Sequence, residues 1–303
     1  MPNSNAIRPR LSIVLLNHNR LRETTQTLEK LGEIIDTRDD VEIIAVDNGS
    51  TDGTAEYLAS QSDFLIPVLL SGNEGIAGYN VGFEKACGEH ILVLDDDSCP
   101  ADALTLDSAL SILDTRPSIG IVACRIENSD GTLQSSWNLP VEHGHPDTSM
   151  SFIGCGFFIR RRLFREIGWY PGEFFLYQNE VEVAIRARLR GMKIQYEPAC
   201  RVIHRGQPAL RPNYRRIFYP TRNTLWIIRR YFPLHEAIYM SLSRLFIGLG
   251  RALWFRQLRG FLRGAREGLA KPIQRVHLPP DLHRDLAPFR RQNSLFHQLL
   301  RLS

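Results

Sequence analysis

The sequence lacks a long apolar run near its start, a cysteine pair and, in its last third, acidic residues. Met1 to Arg10 is polar, and the apolar run behind it, Leu11–Leu16, is too short for a signal-peptide core. The five cysteines (Cys87, Cys99, Cys124, Cys155, Cys200) are scattered, odd in number and without CxxC spacing. That excludes a disulfide framework and a cysteine zinc site, and points to a reducing, cytoplasmic setting. No GxGxxG follows a strand. The glycines of NEGIAGYNVG fall at 75, 78 and 82, which argues against a dinucleotide-binding dehydrogenase but still supplies backbone able to approach a ligand closely. Residues 205–303 hold 19 Lys and Arg against 4 Asp and Glu, whereas residues 1–204 hold 18 against 29. An acidic body thus precedes a basic tail, which suits an anionic membrane surface and is not taken as a nucleic-acid site.

What is present begins with alternation. Leu11–Leu16, Val41–Val46, Ile66–Leu70 and His90–Leu94 read as buried strands, with helical patterns at Arg22–Ile35, Thr54–Gln61 and Gly78–Ala86 between them. Such alternation implies an α/β fold with right-handed crossovers and one mostly parallel sheet flanked by helices. Ile119–Cys124, Ser151–Ile159, Lys193–Tyr196 and Arg201–His204 read as further strands, and Glu180–Arg190 as a helix.

Two of the strands run straight into acids, giving Asp47 and Asp52 in AVDNGSTDGT and Asp95, Asp96 and Asp97 in ILVLDDDS. Ligands of open α/β sheets sit outside the carboxyl ends of the parallel strands. If the strand persists, Asp95 and Asp97 point to the same side. Three adjacent carboxylates repel one another, so without a cation one takes up a proton. A hard divalent ion such as Mg²⁺ or Mn²⁺, with a diphosphate, resolves the conflict.

LSIVLLNHNR, AVDNGSTDGT, NEGIAGYNVGFEKACGEHILVLDDDS, GCGFFIRRRLFREIGWYPGEFFLYQNEVEVAIRARLRG, VIHRG and YPTRN occur in that order. Together they resemble the family 2 inverting glycosyltransferases of the GT-A fold, nearest the bacterial rhamnosyltransferase-like branch. The resemblance implies transfer of a sugar from a dTDP- or UDP-sugar to a saccharide or polyprenyl-linked acceptor, in surface polysaccharide or glycolipid synthesis. It implies a donor-binding set of Asn19, Asp47, Asp52, Asn73, Gly75, Asp95 and Asp96, with Asp47 meeting the nucleobase. Asp97 and His204 are implied as metal ligands. The family's acidic pair reads Asn179-Glu180 here, which makes Glu180 the implied general base. Glu182, Trp169 and Tyr177 are acceptor-side candidates. Asp52 has helix capping as a competing role, and core packing competes for Trp137, Trp169, Tyr170 and Tyr177. His143, His145 and Asp147 have a metal-like spacing in a loop better read as a solvated flap.

His235 to Leu269 is helical in pattern. At about 100° per residue, Arg244, Arg251, Arg259 and Arg266 fall within about 80° of one another. With Trp254, Phe255 and Phe261 beside them, they suggest a helix lying in a membrane surface. The competing reading is a helix packed on the catalytic domain. The expected organisation is a GT-A catalytic domain over 1–234, a basic amphipathic extension over 235–271 and a polar tail over 272–303, peripheral on the cytoplasmic face of the inner membrane. The alternatives are a catalytically degenerate sugar-nucleotide-binding scaffold, kept open by Asn179, and a sugar nucleotidyltransferase. NHNRLRE lacks the Gly-rich phosphate loop of the latter.

Overall fold

The computed structural model describes residues 9–134, 144–206 and 213–300. Trp137 and His143 lie outside them. The chain divides into two compact units, one running to Glu173 and then over Val183–Gly206, the other comprising Phe174–Glu182 and the chain from Gln207.

The first unit is built on β1 (Leu11–Asn17), β2 (Val41–Asp47), β3 (Ile66–Leu69), β4 (His90–Asp95), β5 (Ser98–Pro100), β6 (Ile119–Asn128), β7 (Asp147–Thr148), β8 (Gly156–Arg160) and β9 (Lys193–His204). Their order is β3-β2-β1-β4-β8-β6-β9-β5, with β7 on β9. The β1–β2, β2–β3, β1–β4 and β6–β9 pairs are parallel, and β8 runs antiparallel between β4 and β6. Helices α1 (Leu21–Ile35), α2 (Thr54–Ser60), α3 (Ala77–Lys85), α4 (Ala103–Thr115) and α5 (Arg161–Glu166) flank the sheet. The apolar runs of β1, β2 and β4 are almost wholly buried, as strands covered on both faces require. α3 lies so close to the sheet that a Cβ at Gly82 would meet Val14 and Val46 at 2.8 Å. Its glycines serve close packing.

Two strand expectations change. The stretch expected as two short strands is the single twelve-residue β9, kept continuous by a register shift between Cys124 and Arg125 of β6. The strand expected from Ser151 starts only at Gly156, where a Cβ would meet Ile126 and Val202 at 2.9 Å.

α6 (Asn179–Leu189) begins in the second unit and continues in the first. The second unit is otherwise helical, with α7 (Tyr214–Tyr231), α8 (Leu234–Trp254), α9 (Leu258–Ala270), α10 (Pro280–Asp285), α11 (Ala287–Gln292) and α12 (Leu295–Leu300). Within this unit α7 packs on α9. Gly260, Gly264 and Gly268 of α9 touch Tyr214, Phe218 and Leu225 of α7, leaving no room for side chains at the last two. The residues expected as a polar tail include three short helices. Phe255–Gln257 breaks the expected continuous helix, with Arg256 at φ +54°. Four arginines counted along one helix therefore do not share one face. No described helix is long and apolar enough to cross a membrane.

Candidate donor and acceptor sites

In the first unit the carboxyl ends of β1, β2 and β4 carry the acids and amides expected there. Asp47 is buried at the end of β2. Its Oδ2 accepts from the N–H groups of Gly49 (3.1 Å) and Ser50 (3.0 Å), while its Oδ1 is buried without a hydrogen-bond partner among the described residues. Such an orphan acceptor costs about 1–3 kcal/mol unless a ligand fills it. Gly49 has φ +73° and lies against Gly72, where a Cβ would come within 2.5 Å of backbone, so the loop after β2 admits no side chain there. Asn48 latches the next loop, accepting from Glu74 N (2.9 Å) and donating to Gly75 O (3.0 Å), and Asn73 Oδ1 accepts from Gly75 N at 2.8 Å. Asn19, at φ +53°, accepts from Thr51 N at 2.7 Å. The Asp52 carboxylate accepts from Leu21 N (3.0 Å), Thr54 N (3.1 Å) and the Thr54 hydroxyl (2.6 Å). It therefore holds the starts of both α1 and α2, as the capping alternative foresaw.

The acidic run does not continue as a strand. β4 ends at Asp95, Asp96 and Asp97 form a turn, and β5 returns antiparallel to β9 with Ser98 opposite His204. The expected common face of Asp95 and Asp97 is lost. The Tyr79 hydroxyl lies 2.8 Å from Asp95 Oδ1. Arg20 Nη1 bridges Asp96 Oδ1 (3.0 Å) and Asp97 Oδ2 (2.7 Å). His204 Nε2 lies 3.2 Å from Asp97 Oδ1, out of line for a full hydrogen bond, and its Nδ1 faces Gln134 Oε1 at 2.9 Å. Arg20, Tyr79 and Gln134 were not foreseen. The signal for Arg20 was the acidic run itself, which needs a cation nearby.

Protonation follows from burial and these neighbours. Burial, with the Asp97 charge behind it, raises Asp95. Burial pushes Asp96 up to about 8 against the opposing pull of Arg20. Burial also opposes ionisation of Asp97, but His204 and Arg20 outweigh it and hold that carboxyl below its ordinary value. The Asp97 contact raises His204 against its own burial. Burial thus favours the neutral form at Asp95 and Asp96, while His204 and Arg20 favour the charged form at Asp97.

Ligand atoms of Asp95, Cys155 and His204 lie within 4.8 Å of one another. Carboxylate and imidazole donors suit a hard divalent ion, whereas a thiol does not select one. Gly206 keeps room beside them, since a Cβ there would stand 2.7 Å from His204 Nε2 and 2.9 Å from Asp97 Oδ2. The residues fit Mg²⁺ or Mn²⁺ at this edge.

In the second unit, the segment before α6 is strained and clamped. Phe175, Tyr177 and Gln178 have φ of +60°, +67° and +65°. Asn223 of YPTRN donates to the carbonyls of Phe174 (3.0 Å), Leu176 (2.8 Å) and Tyr177 (2.9 Å). Arg222, which lies over the rings of Phe218, Tyr219 and Trp226, donates to Phe174 O at 2.8 Å. Such strain persists only where its surroundings over-determine it. Glu180 is partly exposed in the first turn of α6. Glu182 is buried, paired with Arg230 at 2.8 Å and within 2.8 Å of the Tyr231 hydroxyl, which gives it a structural place. In the first unit, Trp169 packs against Phe83 and Phe164 with ring centroids 5.6 and 5.2 Å away, and Tyr170 joins the same cluster. His145 is exposed.

The sequence matches Glycosyl transferase family 2 over residues 12–184, more than half of the chain. The chain belongs to that family. Among curated relatives, an uncharacterized glycosyltransferase of Nostoc sp. is 32% identical over 29% of this chain and 28% of its own. The O-antigen biosynthesis protein RfbC of Myxococcus xanthus is 25% identical over 41% and 12%. A probable glycosyltransferase of Bacillus subtilis, YdaM, is 23% identical over 63% and 49%. The matches thus span under half of each relative. The mannosyltransferase PcManGT from Pyrobaculum calidifontis, solved with GDP-Man and Mn²⁺, superposes with a TM-score of 0.59 over 88% of this chain and 89% of its own, at 17% identity. TarS of S. aureus gives 0.62 over 95% and 54%, at 15% identity. At such identities the likeness establishes the fold, and the family 2 chain described here has the GT-A fold.

Proposed function

We propose that this family 2 protein is an inverting glycosyltransferase using a nucleoside diphosphate sugar. The reading rests chiefly on the buried, unpartnered Oδ1 of Asp47 at the end of β2. That atom accepts a nucleobase N–H, which uracil and thymine present at N3 and cytosine does not. A dTDP- or UDP-sugar, rhamnose included, is the expected donor, with Asp95 or Asp96 at the ribose.

Asp97 and His204, with Asp95 beside them, would hold Mg²⁺ or Mn²⁺, which supplies charge neutralisation for the departing diphosphate. The chain itself supplies the base. Glu180 takes the proton of the acceptor hydroxyl as that oxygen bonds to the anomeric carbon from behind. The bond from that carbon to the diphosphate oxygen breaks, and the nucleoside diphosphate leaves with the electron pair. The clamped Phe174–Gln178 segment fixes where Glu180 starts, and placement at the ångström level governs such rates. The acceptor is a saccharide or a polyprenyl-linked saccharide of surface polysaccharide or glycolipid synthesis.

The protein works at a membrane surface. On α8, Leu234, Ile238, Leu242, Phe246 and Leu253 recur at helical spacing and are each more than half exposed, and Trp254 is 84% exposed. An uncovered stripe of this length marks an interaction face, and Arg251, Arg256 and Arg259 beside it are exposed. This stripe, in place of the four-arginine face, is the membrane-docking element. Binding to anionic vesicles and release by Leu242→Glu with Phe246→Glu test it; undiminished binding of that double variant removes the proposal. For the activity, Asp97→Ala should abolish metal-dependent release of nucleoside diphosphate from a donor sugar while leaving the fold intact. Wild-type turnover by that variant removes the metal assignment.

A further inference from the structure

A cavity of about 460 Å³ in the second unit is lined by Arg216, Arg244 and Arg251 with Tyr177, Gln292 and Gln298, and by no acidic residue among the described residues. Arg244 projects from α8 into it. The residue is only partly exposed, and its Nε is closed off from solvent without a hydrogen-bond partner among the described residues. Burial first, and the Arg251 charge second, lower the guanidinium to about 10. Its charged neighbour Arg251 has the same sign, and a bound anion would offset both charges.

The lining narrows the anion. Guanidinium forks match phosphate oxygens bidentately. Three of them, with a phenol and two amides, suit a group of two or more negative charges better than a single carboxylate. Tyr177 lies on the segment clamped by Asn223, three residues before Glu180.

We propose that this cavity binds a phosphoryl group, mono- or diphosphate, carried by the acceptor. The assignment to the acceptor rests on the reading of Glu180 as base. The same chemistry is offered by the diphosphate of an isoprenoid-linked acceptor and by a phospholipid headgroup.

Titration calorimetry with inorganic pyrophosphate in excess chelator tests the cavity apart from any metal-dependent donor site. Wild type should bind, and Arg216→Gln and Arg244→Gln should each weaken binding at least tenfold. UDP binding with Mn²⁺ in the same preparations should be unchanged, so a failure of the donor reading shows in the UDP titration alone. Arg244→Met should raise the melting temperature of the unliganded protein, because it removes an uncompensated cation. A structural role for Arg244 would lower it. Farnesyl diphosphate below its micellar concentration and vesicles of phosphatidylglycerol then separate the sources. Lost farnesyl diphosphate binding in the glutamine variants with retained vesicle binding assigns the cavity to an isoprenoid acceptor, and the reverse assigns it to the headgroup and overturns the placement of the acceptor's phosphoryl group there. Absent pyrophosphate binding, or binding unaffected by both glutamine variants, overturns the proposal.

Discussion

Replacing Asp47 by Asn leaves the shape of the side chain and changes one atom that matters. Asp47 Oδ2 accepts two backbone N–H groups, from Gly49 and Ser50. An asparagine must turn its oxygen to those donors, which aims its NH₂ where the unpartnered Oδ1 now stands. A nucleobase N3–H then meets a donor in place of an acceptor. A hydrogen bond to a charged acceptor contributes about 1.5–3 kcal/mol. At about 1.4 kcal/mol per tenfold, UDP or dTDP should bind about 10- to 150-fold more weakly. Cytosine offers N3 as an acceptor, so CDP should lose nothing and should gain relative to UDP. Calorimetric titration of the three nucleotides with Mn²⁺ measures this. Unchanged UDP affinity, or equal losses for UDP and CDP, would refute the placement of the base on Asp47.

Gly206→Ala puts a methyl within 3 Å of both His204 Nε2 and Asp97 Oδ2. Metal-dependent UDP binding should fall by about 5- to 150-fold, since overpacking of this kind costs about 1–3 kcal/mol; a variant with unchanged Mn²⁺ dependence would show that the pair is not a ligand set. Glu127, buried, accepts from Arg125 at 2.7 Å and from Arg201 at 2.8 Å, and the Arg201 hydrogen bonds, with Arg125 adding, hold its carboxyl below the ordinary range. A depressed folded value stabilises above the unfolded value of about 4.3 and is lost as pH falls through the folded one. Glu127→Gln should therefore cost about 1–3 kcal/mol at pH 7, the gap to wild type closing below pH 4 in urea melts. Equal stabilities at pH 7 would count against the pairing.

The parallel half of the sheet was legible because its strands are buried on both faces, so LSIVLL, VEIIAV and HILVL stand out as unbroken apolar runs. The acids at their ends were legible for the same reason, as sudden charge after apolar strand. β9 was read as two pieces because Glu197 and Pro198 interrupt its pattern, which the bulge opposite Cys124 accommodates. α7 escaped notice because Pro220 and five arginines dilute its apolar face, although Arg222 and Asn223 at its centre hold the Phe174–Tyr177 segment. The acidic run calls for a cation, but nothing around Arg20 in the sequence singles it out; the folded pairing with Asp96 and Asp97 does. An unbroken helix through Phe255–Gln257 would put Arg244 on a membrane face with Arg251, Arg259 and Arg266; because the helix breaks there, Arg244 lines the cavity of the second unit instead.

We propose that Glu180, in the first turn of α6 just after the clamped Phe174–Gln178 segment, takes the proton of the acceptor hydroxyl as the sugar leaves its nucleotide donor. Measuring nucleoside diphosphate release by Glu180→Gln beside wild type, with donor affinity determined on the same samples, tests it most directly. Turnover should fall by about 10² to 10⁴-fold while UDP or dTDP affinity stays within twofold or so. Wild-type turnover by Glu180→Gln, or the full loss appearing instead with Glu182→Gln in a folded protein, would contradict the account.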